Sequence, residues 1–354
     1  MTSDLKTLVK TYLGIGAAIS LLAIIQTQQQ TQALLKIRTR YKWAVLMVVF
    51  AFYIAAGLFL ILRREPDKSL WDRLSSRLPK AGWARLLGLV LVAAAFPILW
   101  YARADFFGRG LEAFFRLLWL FWALLLIQTI GLKVTTGLAW PVSFAFAALL
   151  DGTLTQLYVL FLPVTDYPFS AGWSEASRFY YASLPFSASL YGMRLPLSVW
   201  HGTRYFLQSI PFLIGGLPIW AHRLWQALLW LGLTGLTSWL LVRRLRLKEW
   251  STALILGLWF FLYAFQGAVY YHLQVCVIII LLGVSPRHPR ASLAAVLAAS
   301  FWAGMSRLNW YPVPAMLAIA IYLLETPYRS AGSFWRYAAR PALWGSLGLV
   351  TALL

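Results

Sequence analysis

The sequence predicts an all-α fold, a polytopic transmembrane helical bundle of about 10–11 spans with one large extracytoplasmic loop carrying interfacial helices. Three observations predict it. Of 354 residues, 61% are hydrophobic and 12% charged, whereas about a quarter would be charged in a soluble domain. Apolar runs long enough to cross a bilayer, roughly 17–25 residues, recur along the chain. These runs are continuous and lack the two-residue alternation of a lipid-facing strand, which argues against a barrel.

In order, the candidate spans are 8–25, 43–62, 85–101, 117–133, 139–162, 224–242, 251–268, 272–284, 291–305, 311–324 and 341–354. Residues 1–134 read as an N-terminal, accessory set of helices. Residues 135–354 read as a second module holding the long segment 163–223. The last run, "GSLGLVTALL", breaks off inside an apolar span, so a C-terminal portion is expected beyond it. No small-residue cleavage pattern follows residues 11–25, which are succeeded by "QTQQQTQ", so a cleavable signal peptide is not expected.

Basic loops set the orientation. "RRLRLKEW" (243–250), "SPRHPR" (285–290), "ETPYRSAGSFWRYAAR" (325–340) and the arginine- and lysine-bearing stretch 63–84 all fall on the cytoplasmic side in one register. The turns 268–271 and 306–310, together with 163–223, then fall outside. "LLKIRTRYK" (34–42) breaks this register, which leaves open whether 8–25 spans the membrane or the basic stretch lies along the interface. The formal charge of +20, from 31 basic and 11 acidic residues, is spread over short loops. It therefore reads as the cytoplasmic excess plus contact with anionic lipid, and nucleic acid is not an expected partner. One cysteine, Cys276, excludes an intrachain disulfide and a thiolate metal cluster.

Acidic residues are scarce. Beyond residue 140 there are five: Asp151, Asp166, Glu175, Glu249 and Glu325. Glu249 and Glu325 read as solvated cytoplasmic charges. Asp151 lies mid-span, where a carboxylate needs a partner or a water-filled cavity. Asp166 and Glu175 are the acids of the outer loop and the candidates for acid–base chemistry there. The plainer alternative for Glu175 is a helix-surface pair with Arg178, three positions on.

Two stretches carry a family resemblance. An apolar span followed by an outer loop with two acids and "RFYYASLPFSASLYG" resembles the first extracytoplasmic loop of the GT-C superfamily of integral-membrane glycosyltransferases. "AGMSRLNWYPVPAMLA" (303–318) resembles the stretch in which those enzymes place a basic residue before a Pro-bearing helix. The similarity covers roughly residues 139–324. Here nine positions separate the acids, and four spans precede the one that leads into the loop. The resemblance implies transfer of a sugar from a polyprenyl-phosphate donor to an acceptor, in the mannosyl- or arabinosyltransferase manner. It implies a multi-pass protein of a prokaryotic inner membrane with the active site facing away from the cytoplasm. Glu175 matches the motif acid best and Asp166 less closely, so either would be the catalytic base.

That chemistry defines what else to look for. The acceptor hydroxyl loses a proton as it attacks, so a carboxylate must be in hydrogen-bond reach. The departing phosphate gains charge, which a fixed arginine fork stabilises. Arg307, the one charge between 291 and 324, is the first candidate for the phosphate, with Arg178 and Arg204 beside it and Arg194 and Arg223 as alternatives. A headgroup-snorkelling arginine is the plainer account of Arg307. His201, Gln266, Tyr271, His272 and Asn309 are the substrate-pocket candidates, against the plainer reading of an interfacial aromatic belt. No cofactor is evident and no metal-ligand motif occurs, although a divalent ion between Asp166 or Glu175 and the donor phosphate is compatible with these residues. The partners implied are the polyprenyl-linked donor, an acceptor of unknown identity and the bilayer. The rival readings are a transporter, which needs mid-membrane charges and related halves, and a lipid-linked polysaccharide polymerase or ligase centred on arginine and histidine.

Overall fold

The computed structural model describes residues 2–33, 40–62, 82–99, 113–172, 174–328 and 333–354. Every run predicted to span carries a helix: α1 (Thr2–Ala33), α2 (Arg40–Leu62), α3 (Gly82–Pro97), α4 (Phe114–Thr136) and α5 (Trp140–Phe161) before the long loop. The loop holds α6 (Glu175–Ser183), α7 (Ser187–Tyr191) and α8 (Gly202–Ser209). Beyond it come α9 (Ile219–Leu245), α10 (Trp250–Tyr263), α11 (Tyr271–Gly283), α12 (Pro289–Gly304), α13 (Val313–Glu325) and α14 (Phe334–Leu353). Among the described residues seven helices are long and apolar enough to cross a membrane, and α3 and α11 are shorter apolar helices. The chain is thus a multi-pass helical membrane protein. Most of the basic stretches 34–42 and 63–84, and residues 329–332 of the 325–340 loop, lie outside the described residues.

The chain divides into two compact units, Met1–Asp151 and Gly152–Leu354, with the division inside α5. In the first unit α1 is longer than the predicted 8–25. Its glutamine tract continues the helix, because Gln is a good helix former, and it meets the start of α4. Gln26 accepts the Phe115 backbone N–H at 3.0 Å, and Gln30 accepts from Arg116 at 2.8 Å. A helix start leaves such N–H groups without intrahelical acceptors, and Gln26 supplies one. Helices α3 and α4 cross through glycine: a Cβ at Gly88 would stand 2.7 Å from the Gly131 carbonyl oxygen, and the reverse holds for Gly131. Small residues let apolar helices approach where lipid offers no competing hydrophobic drive. The mid-span Asp151 has its partner: Gln128 donates to it at 2.6 Å.

The second unit packs α9 and α11–α14 around Ile280, Val296, Ala299, Ala303, Ala318 and Trp344. Its loops gather at two ends. At one, Arg244 on α9 donates to both oxygens of Glu325 (2.6 and 2.8 Å) and to the carbonyls of Leu281 and Val284 (2.7 Å each). Those carbonyls belong to the last turn and cap of α11, which has no intrahelical donors left for them. Tyr337 donates to the Thr326 carbonyl at 2.9 Å and Arg340 to that of Pro286 at 3.3 Å. The three stretches expected in the cytoplasm, 243–250, 285–290 and 325–340, therefore meet. At the other end the long loop meets the turns after α10 and α12. The His201 N–H donates to Ser306 O at 3.3 Å, and Trp302 Nε1 to His272 O at 2.7 Å.

Candidate functional site

Glu175 and Arg223 form the anchor of the loop end. Arg223, on the first turns of α9, is 4% exposed. Its Nε and Nη2 donate to the two oxygens of Glu175 at 2.9 and 3.1 Å. Nη1 donates to the Thr165 and Tyr167 carbonyls at 2.7 and 3.0 Å, and Nη2 also reaches Phe169 O at 3.0 Å. A guanidinium has five N–H groups in a fixed fork, and here all five are engaged. The Ala171 N–H donates to Glu175 Oε2 at 2.6 Å. This corrects two expectations. Glu175 pairs with Arg223, 48 positions away, rather than with Arg178. Arg223, offered as an alternative phosphate ligand, has no donor left for one. Burial raises the Glu175 pKa, but the hydrogen bonds from Arg223 and Ala171 and the charges of Arg223 and Arg178 outweigh it, so the carboxyl stays below its usual range. A general base is most effective near the working pH, with a lone pair free for the proton. Glu175 lacks the first property, and three of the roughly four lone-pair sites of its carboxylate are already taken.

Asp166 sits inside the clamped stretch, between two residues whose carbonyls Arg223 holds, and its own side chain is exposed. Arg178 lies one turn into α6. Its Nε donates to Ser174 O at 3.2 Å, and burial first, then the Arg204 charge, lower its pKa. Arg204, on α8, bears on both Arg178 and Tyr271. Arg204 and Arg307 both act on His201 and on His272. Arg307 stacks its guanidinium 4.4 Å above the Tyr270 ring. Packing agrees: the Tyr181 and Tyr205 rings lie 5.1 Å apart, the His201 ring 6.5 Å from that of Tyr205, and the His201 N–H donates to Ser306 O beside Arg307, so the three stretches that carry Arg178, Arg204 and Arg307 meet. Neither Arg204 nor Arg307 has an ion pair among the described residues.

Several polar atoms here are buried without a partner among the described residues: both ring nitrogens of His272, Nδ1 of His201, Nε of Arg204 and Oγ of Ser306. Such atoms carry a cost unless something outside the chain satisfies them. Burial, followed by the Arg307 and Arg204 charges, lowers the His201 pKa, against a raising contribution from the Ser306 hydrogen bond. His201 is held at φ +59 where it opens α8, a sparsely populated conformation for a residue with a Cβ. The remaining candidates are more peripheral. Gln266 and Asn309 are exposed on the turns after α10 and α12, and Arg194 is exposed in the loop after α7.

Next to the Glu175–Arg223 anchor is a cleft of about 310 Å³ lined by Val159, Leu160, Pro163, Ala227, Trp230 and Phe265. Its Trp230 packs on Tyr271 at 5.4 Å between ring centroids, so the apolar cleft adjoins the cluster around His201 and Tyr270. Among the described residues no group of three or more His, Cys, Asp or Glu could hold a metal. Glu175 does not suit a divalent ion, since its two oxygens already accept three N–H donors.

The loop also contains a short internal repeat. "SRFYYASLPF" (177–186) and "TRYFLQSIPF" (203–212) align without gaps at an offset of 26 residues. Each copy is opened by a non-glycine residue at φ +59, Ser174 or His201. Each forms a short helix running into a 3₁₀ turn with Pro in its first positions, Leu184–Phe186 and Ile210–Leu213. In each the aligned serine donates back three residues, Ser183 to Tyr180 O at 2.6 Å and Ser209 to Phe206 O at 2.7 Å. The aligned arginines are Arg178 and Arg204. The two copies pack together, with Tyr181 and Tyr205 rings 5.1 Å apart.

No family model, curated protein or solved structure matches this chain.

Proposed function

We propose that the chain is a membrane glycosyltransferase that uses a polyprenyl-phosphate-linked sugar and works at the end of the bundle where the long loop lies. The observation that carries this reading is that the three separate stretches bearing Arg178, Arg204 and Arg307 meet around His201 and Tyr270, beside polar atoms that are buried without a partner among the described residues. Adjacent cations repel each other unless an anion lies between them. The phosphate of the donor fits that role, and the cleft beside Trp230 suits the first units of an apolar isoprenoid chain.

In this reading the acceptor hydroxyl oxygen bonds to the anomeric carbon. The bond from that carbon to the phosphate oxygen breaks, and the phosphate leaves with the electron pair. The arginines stabilise the charge as it grows, which favours the transition state over the ground state. The hydroxyl proton passes to the exposed carboxylate of Asp166, while Glu175 keeps the loop stretch around Asp166 in place through Arg223. A divalent ion has no assigned part in these steps.

A second reading is supported by the two histidines. With His201 and His272 beside the arginines, a lipid-linked polysaccharide polymerase or ligase would take the proton on histidine instead. Purified protein incubated with a panel of polyprenyl-linked sugars tests both. Transfer that Asp166→Asn abolishes while the protein stays inserted supports the first reading. Transfer that survives Asp166→Asn and is lost in His201→Ala supports the second. No transfer from any polyprenyl-linked donor, or transfer unchanged in Arg204→Ala, would overturn both.

A further inference from the structure

Helix α8 is dressed the wrong way round for a helix in water. Its buried residues are polar, namely Thr203, Gln208 and Ser209, while Phe206 between them is 62% exposed. A helix on a water-facing surface turns its apolar stripe to the core and its polar face outward, and α8 does the reverse. The flanking stretches continue the pattern. Leu197, Val199 and Trp200 before α8, and Leu213 and Ile214 after it, are exposed apolar side chains. With Phe206 they make an apolar surface of the kind that marks a partner or a membrane.

The matching copy in the repeat sets this inversion apart. With 177–186 laid on 203–212, Tyr180 stands where α8 has Phe206, and Ala182 where α8 has Gln208. Tyr180 is exposed and offers a hydroxyl to water, whereas Phe206 is exposed and offers none. On the inner face a methyl group gives way to a carboxamide. One backbone pattern thus occurs twice, and the second copy is the more apolar outside and the more polar within.

Packing sets the level at which α8 lies. Trp225 Nε1 donates to Leu207 O at 2.8 Å, and Gln208 Nε2 to Gln226 Oε1 at 3.1 Å. Both partners are on α9, 19 and 18 residues before Arg244, or about 27–29 Å along the helix. A hydrocarbon layer is about 30 Å thick, so with Arg244 at one boundary the end of α8 is held at the other. The His201 N–H, donating to Ser306 O at 3.3 Å, ties its start to the same end of the bundle.

We infer that the outward face of α8, with Leu197, Val199, Trp200, Leu213 and Ile214 on either side, is embedded in the bilayer at the boundary between headgroups and acyl chains. Helix α8 is then a wall with lipid on its outer side and the polar interior of the protein on the other. Its level on α9 favours lipid over a protein partner, and so does the rim, where Trp200 and the exposed Arg194 suit the headgroup layer. The depth follows from the backbone. Residues 194–198 form no helix or strand, and such backbone is not tolerated in hydrocarbon. It therefore rides among the headgroups, and only side chains dip, by about 5–10 Å. The inference stands apart from the glycosyltransferase reading: it concerns what α8 touches, whatever reaction the protein performs.

The test is fluorescence quenching in the full chain reconstituted into phospholipid vesicles. Phe206→Cys and, separately, Val199→Cys each carry an environment-sensitive label, while the buried Cys276 stays unlabelled. The quenchers are phospholipids bearing a nitroxide high on the acyl chain, phospholipids bearing it near the chain end, and iodide in the water. Both labels should lose fluorescence most with the shallow nitroxide, less with the deep one and little with iodide. Quenching by iodide above that by nitroxide at either position would put the face in water and overturn the inference. So would a label that no quencher reaches, which means that protein covers the face, or one that the deep nitroxide quenches best. Val199 lies outside α8 and is 87% exposed, so Val199→Cys decides the matter if Phe206→Cys does not insert.

Discussion

The Glu175–Arg223 anchor can be tested as an energetic unit. Both side chains are buried, at 9% and 3% exposed, and replacing one partner of a buried pair costs about 3–5 kcal/mol because the other charge is left uncompensated. Replacing both with leucine usually recovers most of that cost. Here it should not. Arg223 also satisfies the carbonyls of Thr165, Tyr167 and Phe169, which sit in exposed backbone that water can reach. Three hydrogen bonds exchanged for water cost about 1 kcal/mol each, so the double variant should stay about 3 kcal/mol less stable locally than the parent.

The readout is hydrogen exchange or limited proteolysis of 163–175 in micelles, since the loss is local and the helices remain inserted. Glu175→Leu should open the segment by roughly 3–5 kcal/mol and Arg223→Leu by at least as much. The pair of substitutions together should remain open by about 3 kcal/mol, the three lost bonds. A double variant as protected as the parent would refute the carbonyl clamp, and an unaffected Glu175→Leu would refute the buried pair. The pH dependence has a definite sign. The Glu175 carboxyl is held below its ordinary value in the folded protein. Its contribution is therefore complete above the ordinary glutamate range near pH 4.3 and is lost only as pH falls through the lower folded value. Protection should be flat from pH 7 to about pH 5 and fall below that range, and Glu175→Gln should remove this limb.

Other substitutions probe separate parts of the fold. Arg244→Ala should lower the midpoint of thermal unfolding in detergent by a modest amount, about 1–2 kcal/mol, because the Glu325 pair is partly exposed and two carbonyls lose their donor. Gly304→Ala should destabilise by about 1–3 kcal/mol, since its Cβ would collide with the Ala352 carbonyl oxygen. Gly232→Ala, with open space around it inside α9, should instead be neutral or stabilising, by up to about 1 kcal/mol. Cysteines placed at Arg194 and Asn309 should label from one side of the membrane and those at Lys248 and Arg287 from the other, against a silent background from the buried Cys276. Mixed labelling would refute the two-ended arrangement of the second unit.

Most of the helical architecture was legible because lipid imposes a simple length and hydropathy code. The arginines were conspicuous one by one, since a charge in so apolar a chain stands out: Arg307 alone between 291 and 324 is the clearest case. The role of Glu175 was not legible. Its nearest cation in sequence, Arg178, suggested a helix-surface pair, and only the return of the chain at α9 brings Arg223 to it. The contacts of the glutamine tract at 26–32 were not legible either, because nothing local shows that Gln26 and Gln30 face the start of α4. The repeat was present in the letters throughout. Ten residues at an offset of 26 make a short unit, and exchanges of Phe with Tyr and Leu with Ile obscure the match.

Two helix lengths together explain where the polar cluster sits. Arg223 and Arg244 both lie on α9, and 21 residues at 1.5 Å each separate them by about 32 Å. That is the thickness of a hydrocarbon core, about 30 Å, and each arginine is bound by carbonyls and a carboxylate at its own end. Helix α11 has 13 residues, only about 20 Å. Its far end, Leu281 and Val284, is tied to Arg244. Its near end, Tyr271 and His272, must therefore stop short of the level of Arg223. Backbone that ends early inside an apolar layer is tolerated where protein or polar groups line the gap. Trp302 caps the His272 carbonyl there, and α8 and Arg307 supply the rest of the lining. Inserting one helical turn directly after His272 would push Tyr271 and His272 out of register with Arg204, and should abolish anion binding without disturbing the Arg244 end.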